Sequence, residues 1–174
     1  MDGRLLEAIA RELYHEMGGV LKRIAAFERI ENLYLGRIEP PAGPLKLGDN
    51  CLYADVVPFR SSRWKGRIGA KAYLRKGGRW RDVLAACDRR IGRLVEAAAP
   101  GLTVVQGVVA KDLFPELRGL RMSDAPILPI RRGGIEFPVQ WLYPTSGLKI
   151  GKATPEYYAA AAAKAQSVLL GWDG

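Results

Sequence analysis

The sequence predicts an α/β fold, with helices on both sides of a mostly parallel central sheet of about four strands (three-layer α/β/α). Two observations predict this class. Short apolar runs rich in β-branched residues alternate along the chain with longer segments of helical periodicity. The length of 174 residues and the 48% hydrophobic fraction suit one buried core. We therefore expect residues 1–174 to form a single domain.

The helices are predicted from apolar residues that recur at helical spacing. They are expected at residues 3 to about 28 with a break at Gly18-Gly19, at 82–99, at 108–114 and at 154–170. The helix at 82–99 has the clearest apolar face and ends before Pro100. The last helix begins with Thr154 as N-cap and Pro155 at its first position.

The strands are predicted from short apolar runs between these helices. They are expected at 51–57, 102–106, 126–130 and 137–143, with a further short run at 32–35. The run at 102–106 is apolar on both faces, which is typical of a central parallel strand. Residues 39–44 contain three prolines and are predicted to form a loop.

Positive charge is concentrated in one part of the chain. The net charge is +9, and the segment Arg60–Arg93 holds twelve Lys or Arg and two Asp, which gives +10. The rest of the chain therefore sums to −1. A compositional bias would spread arginine evenly, so this asymmetry favours a polyanionic partner over a merely solvated face.

Residues 59–81 are predicted to form an exposed basic excursion just after the strand at 51–57. Trp64, Tyr73 and Trp80 lie among its basic residues and are suited to stacking on unpaired bases. The alternative is that these aromatic residues anchor the excursion to the body of the protein. The nucleic-acid contacts expected here are Arg60, Arg63, Trp64, Lys65 and Arg67.

In α/β sheets, binding sites form beyond the C-terminal ends of the strands, and three such ends carry candidate residues. Asp55 could accept hydrogen bonds from a base edge or position a water; alternatively it caps a turn or pairs with an arginine. Gly107 permits a sharp turn into a helix whose amides favour phosphate, although a simple tight turn needs the same residue. After the third strand come Tyr143 and the phosphate-binding candidates Thr145, Ser146, Lys149 and Lys152; alternatively these residues form a flexible basic loop before the last helix.

The remaining features argue against several classes of protein. Cys51 and Cys87 form neither a disulfide framework nor a metal-ligand cluster, so we expect no metal and no cofactor. His15, the only histidine, lies far in sequence from the candidate ends, which disfavours a histidine base. We expect no signal peptide and no membrane span, and a cytoplasmic location.

Taken in order, these motifs resemble those of the uracil-DNA glycosylase superfamily, especially its bacterial iron–sulfur branch. The resemblance covers about residues 50 to 170. The matching runs are 54–60 (ADVVPFR), 85–87 (AAC), 104–110 (VVQGVVA), 143–146 (YPTS) and 154–158 (TPEYY). It implies that Asp55 and Tyr143 occupy the positions of the family's base-reading Asn and loop His.

The sequence also departs from the family pattern. The loop that positions the attacking water has at most a degenerate remnant at 36–41, and Cys87 matches only one of four cluster ligands. An ionised Asp55 accepts hydrogen bonds but cannot donate one to a carbonyl, and Tyr143 would stabilise a departing base more weakly than histidine. The resemblance therefore implies either altered base selectivity or binding without cleavage.

Three functions stay open on these grounds. The first is a DNA glycosylase acting on a flipped base. The second is a non-catalytic nucleic-acid-binding module or a subunit of a larger assembly, with DNA the expected ligand. The third is a protein that binds a phosphate ligand or nucleotide at the helix after Gly107. We expect Arg63, Lys65 and Arg67 to matter more for nucleic-acid binding than Arg89, which lies on the polar side of a core helix.

Overall fold

A computed structural model of the chain describes residues 25–40, 43–47, 50–51, 80–108, 110–132, 134–145 and 153–171. Its backbone contacts divide the chain into two compact units, one comprising Met1–Tyr53 with Tyr143–Gly174 and the other Ala54–Leu142. The single-domain organisation stays a prediction. Among the helices of the described ranges, none combines the length and apolar content that crossing a bilayer requires.

The first described helix, α1, spans Ala25–Leu33. In the unit Ala54–Leu142, the helix predicted at 82–99 is confirmed as α2, which spans Trp80–Ala98. It buries Cys87 and Val95 and exposes its arginines. The helix ends because Ala99 adopts a left-handed conformation, with φ of 40°, and Pro100 cannot continue the hydrogen-bond pattern.

The sheet of this unit has three strands in the order β1-β3-β2, where β1 is Thr103–Gln106, β2 is Ile127–Arg132 and β3 is Ile135–Leu142. β1 pairs with β3 in parallel, whereas β2 pairs with β3 antiparallel. The described sheet is therefore mixed, and the mostly parallel sheet of about four strands is not confirmed. The predicted strand at 51–57 lies outside the described residues beyond Cys51.

The antiparallel pair follows from the connection between its strands. Arg132 pairs with Ile135, so only residues 133–134 join β2 to β3, and two residues can connect only antiparallel neighbours. Gly134 has a φ of +87°, as tight hairpin turns require. Pro138 is tolerated in β3 because the pairing with β1 starts one residue later, at Val139.

β3 is the buried centre of this sheet. Val139, Gln140, Trp141 and Leu142 are each at most 1% exposed, so both faces of the strand are covered. β1 follows the prediction in position, but within the described sheet it is an edge strand paired only with β3. The short helix α3, Ala110–Leu113, follows β1, and two 3₁₀ turns at Pro115–Leu117 and Met122–Asp124 lead to β2.

The other unit contains α1 and the last helix, α4, at Pro155–Leu170. The predicted N-cap is confirmed: the Thr154 hydroxyl accepts a hydrogen bond from the backbone N–H of Tyr157 at 3.2 Å. An alanine face, Ala161, Ala162 and Ala165, is buried. The Gln166 side chain also bonds both backbone groups of Glu39, which holds the extended segment after α1 against α4.

The short strand expected at 32–35 is wrong. Those residues belong to the end of α1 and to a 3₁₀ turn at Leu35–Arg37. The helical path continues because the N–H of Tyr34 donates to the Ile30 carbonyl at 3.1 Å, and both side chains are buried on one face.

Candidate nucleic-acid interface

The described part of the basic segment is the helix α2. Arg81, Arg89, Arg90 and Arg93 are exposed on it, and the other eight basic residues of the segment lie outside the described residues. Within the described ranges, Arg89 and Arg93 form no ion pair. The acidic Asp88 of the same helix instead faces Arg132, whose Nε lies 3.4 Å from its Oδ1.

An open groove runs along the arginine side of α2. Its lining combines two apolar residues with three arginines and is formed by Ala86, Arg89, Arg90, Arg93 and Leu94. The groove encloses about 310 Å³. An open groove lined by arginines suits an anionic chain that lies along the helix better than a small molecule, which binds in an enclosed cavity.

The C-terminal ends of β1 and β3 lie side by side in the sheet. Gln106 pairs with Leu142, and the N–H of Gly107 donates to the Leu142 carbonyl at 3.0 Å. Gly107 has a φ of +79°, so the turn after β1 uses the conformational freedom predicted for this glycine.

The Gly107 backbone is already fully used by this turn. Its carbonyl accepts a 2.8 Å hydrogen bond from the indole N–H of Trp141, while its N–H is bonded to the sheet. Lys111 Nζ lies 4.7 Å from the Trp141 ring centroid, so it makes a cation–π contact beneath the same turn. The predicted role of Gly107 in anion binding stays a prediction, and it would have to involve amides other than its own.

Tyr143, the first residue after β3, is held by two tyrosines of α4. Its N–H donates to the Tyr157 hydroxyl oxygen at 3.2 Å, and its carbonyl accepts from the Tyr158 hydroxyl at 2.9 Å. The rings of Tyr143 and Tyr157 are 5.1 Å apart between centroids. These contacts fix the backbone at Tyr143 and leave its side chain half-buried.

The tyrosine cluster is poorly solvated. Burial, with a smaller effect from Tyr157, raises the pKa of Tyr158 to about 12. Burial likewise raises the pKa of Tyr34 well above its usual range, with smaller contributions from Cys51 and Tyr157. The hydroxyls of these two residues therefore act as neutral hydrogen-bonding groups at physiological pH.

Thr145 is buried, whereas a residue that contacts phosphate has to be exposed to the ligand. Its side chain is 3% exposed, so its hydroxyl lies inside the protein. A direct contact with a nucleic acid would require this residue to become more exposed.

The other predicted site residues cannot be compared with the structure. They lie outside the described residues and are Asp55, Arg60, Arg63, Trp64, Lys65, Arg67, Ser146, Lys149 and Lys152. The proximity of Asp55 to Tyr143 therefore stays a prediction. Cys87 is buried in α2, and burial raises the pKa of its thiol. The described residues contain no group of three or more His, Cys, Asp or Glu that could hold a metal ion.

Arg132 joins several segments of its unit through hydrogen bonds and ion pairs, and this role was not predicted from the sequence. It is 18% exposed on its side chain, donates from Nη1 to Glu116 Oε1 at 2.9 Å, and donates from Nη2 to the Leu113 carbonyl at 3.1 Å. Its guanidinium also lies 5.5 Å from the Phe114 ring centroid. Hydrogen bonding to Arg132 lowers the pKa of Glu116 below its usual range. No local signal could have identified this residue, because its side-chain partners are 16 and 44 positions away.

Comparison of the chain with models of protein families, with curated proteins and with solved structures found no match in any of the three. The evidence for the candidate interface therefore comes from the charge and arrangement of its own residues.

Proposed function

We propose that the chain binds nucleic acid, DNA in the first place, through the basic segment Arg60–Arg93. The observation that carries the proposal is the +10 charge of this segment against −1 for the rest of the chain. Neutralising phosphates with Lys and Arg releases condensed counterions, and this supplies a large share of the affinity of nucleic-acid-binding proteins. A segment with this charge is suited to that role.

The arrangement of α2 supports the proposal. Arg81, Arg89, Arg90 and Arg93 are exposed on it, and Asp88 is paired with Arg132. The positive charge of the helix is therefore available at the surface. Trp64 and Tyr73, interleaved with basic residues in the sequence, add side chains that can stack on bases.

Fluorescence anisotropy with labelled single-stranded DNA, duplex DNA and RNA of mixed sequence tests this function. We expect binding whose affinity falls steeply as salt rises from about 50 to about 200 mM, with a slope of about −0.7 to −0.9 per phosphate contact. Preference for the single strand would indicate stacking on unpaired bases. Failure of all three ligands to bind at low salt, or affinity independent of salt, would contradict the proposal.

A second candidate function is base excision from DNA, with altered selectivity. The observation that favours it is the parallel β1–β3 pair, whose C-terminal ends carry the Gln106-Gly107 turn and lead into Tyr143. This is the order of motifs on which the resemblance to uracil-DNA glycosylases depends. In this proposal Asp55 reads the base and Tyr143 donates to the developing negative charge on it.

Incubation with oligonucleotides that contain uracil, hypoxanthine or xanthine, followed by alkali, tests the enzymatic candidate. An alkali-labile site in one of them, lost in Asp55→Ala and Tyr143→Phe, supports a repair glycosylase. If the protein binds DNA but leaves all three bases intact at high protein concentration, the non-catalytic module is the correct alternative.

The proposal also includes a fourth strand at 51–57, parallel to its neighbours in the sheet, and a cytoplasmic location for the protein.

A further inference from the structure

We infer that α2 carries a phosphate-contacting surface of its own, the α2 arginine strip, formed by Arg89, Arg90 and Arg93. The inference rests on the proposed nucleic-acid function and names a contact surface outside the basic excursion at 59–81. It also assigns the kind of contact, which is with the sugar–phosphate backbone rather than with base edges.

The spacing of the strip follows from helix geometry. Arg89 and Arg93 are four residues apart, and Arg90 and Arg93 three, so all three project from one side of α2. Four residues of helix rise about 6 Å, which lets neighbouring guanidiniums reach successive phosphates of a strand that lies along the axis. The groove beside them is open, and Ala86 and Leu94 are the apolar residues of its lining.

Repulsion between the arginines of the strip lowers the stability of the unbound protein. Like charges at four-residue spacing destabilise a helix, and Arg89 and Arg93 have this spacing in α2. Arg132 pairs with Glu116 and Asp88, and Arg121 pairs with Asp124, whereas Arg89 and Arg93 form no ion pair within the described ranges. Glu96 lies three residues beyond Arg93, and within the described ranges the two form no ion pair. A polyanionic ligand would offset the repulsion within the strip.

The residues of the strip favour phosphate over bases as the contact. No aromatic residue lines the groove, so the stacking that serves base recognition is absent from its described lining. Guanidinium groups bind phosphate oxygens through two parallel hydrogen bonds. The strip therefore contributes affinity that is independent of sequence and sensitive to salt.

The experiment compares three proteins by anisotropy on one labelled DNA duplex: wild type, Arg89→Gln/Arg93→Gln, and the control Arg29→Gln/Arg118→Gln. The control loses the same two charges from exposed positions outside the basic segment. We expect the slope of log affinity against log salt to weaken by about 1.8 in the strip variant, which is about 0.9 for each lost contact, and hardly at all in the control. The melting temperature of the strip variant should not fall, because repulsion is removed.

The salt slopes of these proteins distinguish a failure of the strip to contact DNA from a failure of the whole protein to bind DNA. If wild type binds with a salt slope and the strip variant matches the control, the strip is only solvated and the inference is overturned while the function stands. If wild type shows no salt-dependent binding to DNA, the proposed function fails as well. If vesicles of anionic phospholipid displace the duplex from wild type and bind through the strip, the ligand is a membrane surface and the inference is likewise overturned.

Discussion

The indole N–H of Trp141 donates a 2.8 Å hydrogen bond to the carbonyl of Gly107, and this bond joins the turn after β1 to the buried centre of the sheet. Trp141 is 1% exposed, so the bond is shielded from water. The N–H of Gly107 is bonded to Leu142, and both backbone groups of the glycine are thereby satisfied within the sheet. These two hydrogen bonds fix the backbone of the turn to the sheet.

Gly107→Ala is expected to destabilise the protein by about 1 to 2 kcal/mol, because an L-residue is strained at a φ of +79°. A Cβ at this position would meet no atom within 4 Å, so backbone strain is the only cost. The matched control is Gly92→Ala inside α2, where a Cβ also meets nothing within 4 Å. It should stabilise by about 0.5 to 1 kcal/mol. Urea unfolding midpoints that move in the same direction for both variants would refute this account of the turn.

Arg132→Gln is expected to cost about 2 kcal/mol at neutral pH, since it removes hydrogen bonds to Glu116 and to the Leu113 carbonyl. Arg132 holds the pKa of Glu116 below its usual value. The pair therefore stabilises the fold above the unfolded pKa of about 4.3, and this contribution is lost as the pH falls through the folded-state pKa.

The difference in unfolding free energy between wild type and Arg132→Gln should accordingly shrink from about pH 7 to about pH 3, as measured by urea unfolding. Arg118→Gln, an exposed arginine of the same unit, serves as control and should change little at either pH. A difference that grows on acidification would show that Glu116 is not held as its carboxylate by Arg132.

Tyr158→Phe is expected to destabilise by about 1 to 2 kcal/mol, because the Tyr143 carbonyl loses its 2.9 Å donor. Tyr143→Phe is the matched control: it also deletes one hydroxyl but keeps both backbone hydrogen bonds of residue 143, and it should cost less. If the two substitutions are equally costly in urea unfolding, the bond to the Tyr143 carbonyl is not what Tyr158 contributes.

Tyr158 should also make the stability of the protein depend on pH in the alkaline range. Its folded-state pKa, raised to about 12, exceeds the unfolded value of about 10. Its contribution is thus complete below about pH 10 and is lost as the pH rises toward 12. Wild type should lose more stability over this interval than Tyr158→Phe, and the residual loss in the variant is expected from Tyr34, whose pKa is also raised.

The elements that could be predicted from sequence are those with strong local signals. The apolar face of 82–99, the stop at Pro100 and the Thr154-Pro155 start are local, and helices α2 and α4 follow them within two residues. The error at 32–35 has the opposite cause, because a four-residue apolar run has no period that separates strand from helix end. The strands predicted at 126–130 and 137–143 are six residues apart, whereas β2 and β3 are separated by only two, so their antiparallel pairing was not predicted.

The candidate site was harder to predict than the fold. Gly107 was selected for its conformational freedom, and its positive φ confirms that freedom. Its bonds to Trp141 and Leu142 come from residues more than thirty positions away, which local patterns cannot reveal. The burial of Thr145 has the same long-range origin. Arg132 was not identified for the same reason, since its side-chain partners are 16 and 44 positions away.

The measurement that tests the central claim most directly is the salt dependence of DNA binding by Arg63→Gln/Lys65→Gln/Arg67→Gln. Its control, Arg29→Gln/Lys46→Gln/Arg118→Gln, removes three charges from exposed positions outside the basic segment. We expect the triple variant to bind more weakly, with a slope of log affinity against log salt reduced by about 2.7, while the control stays near wild type. Equal slopes for the two variants would contradict a nucleic-acid-binding role for the segment Arg60–Arg93.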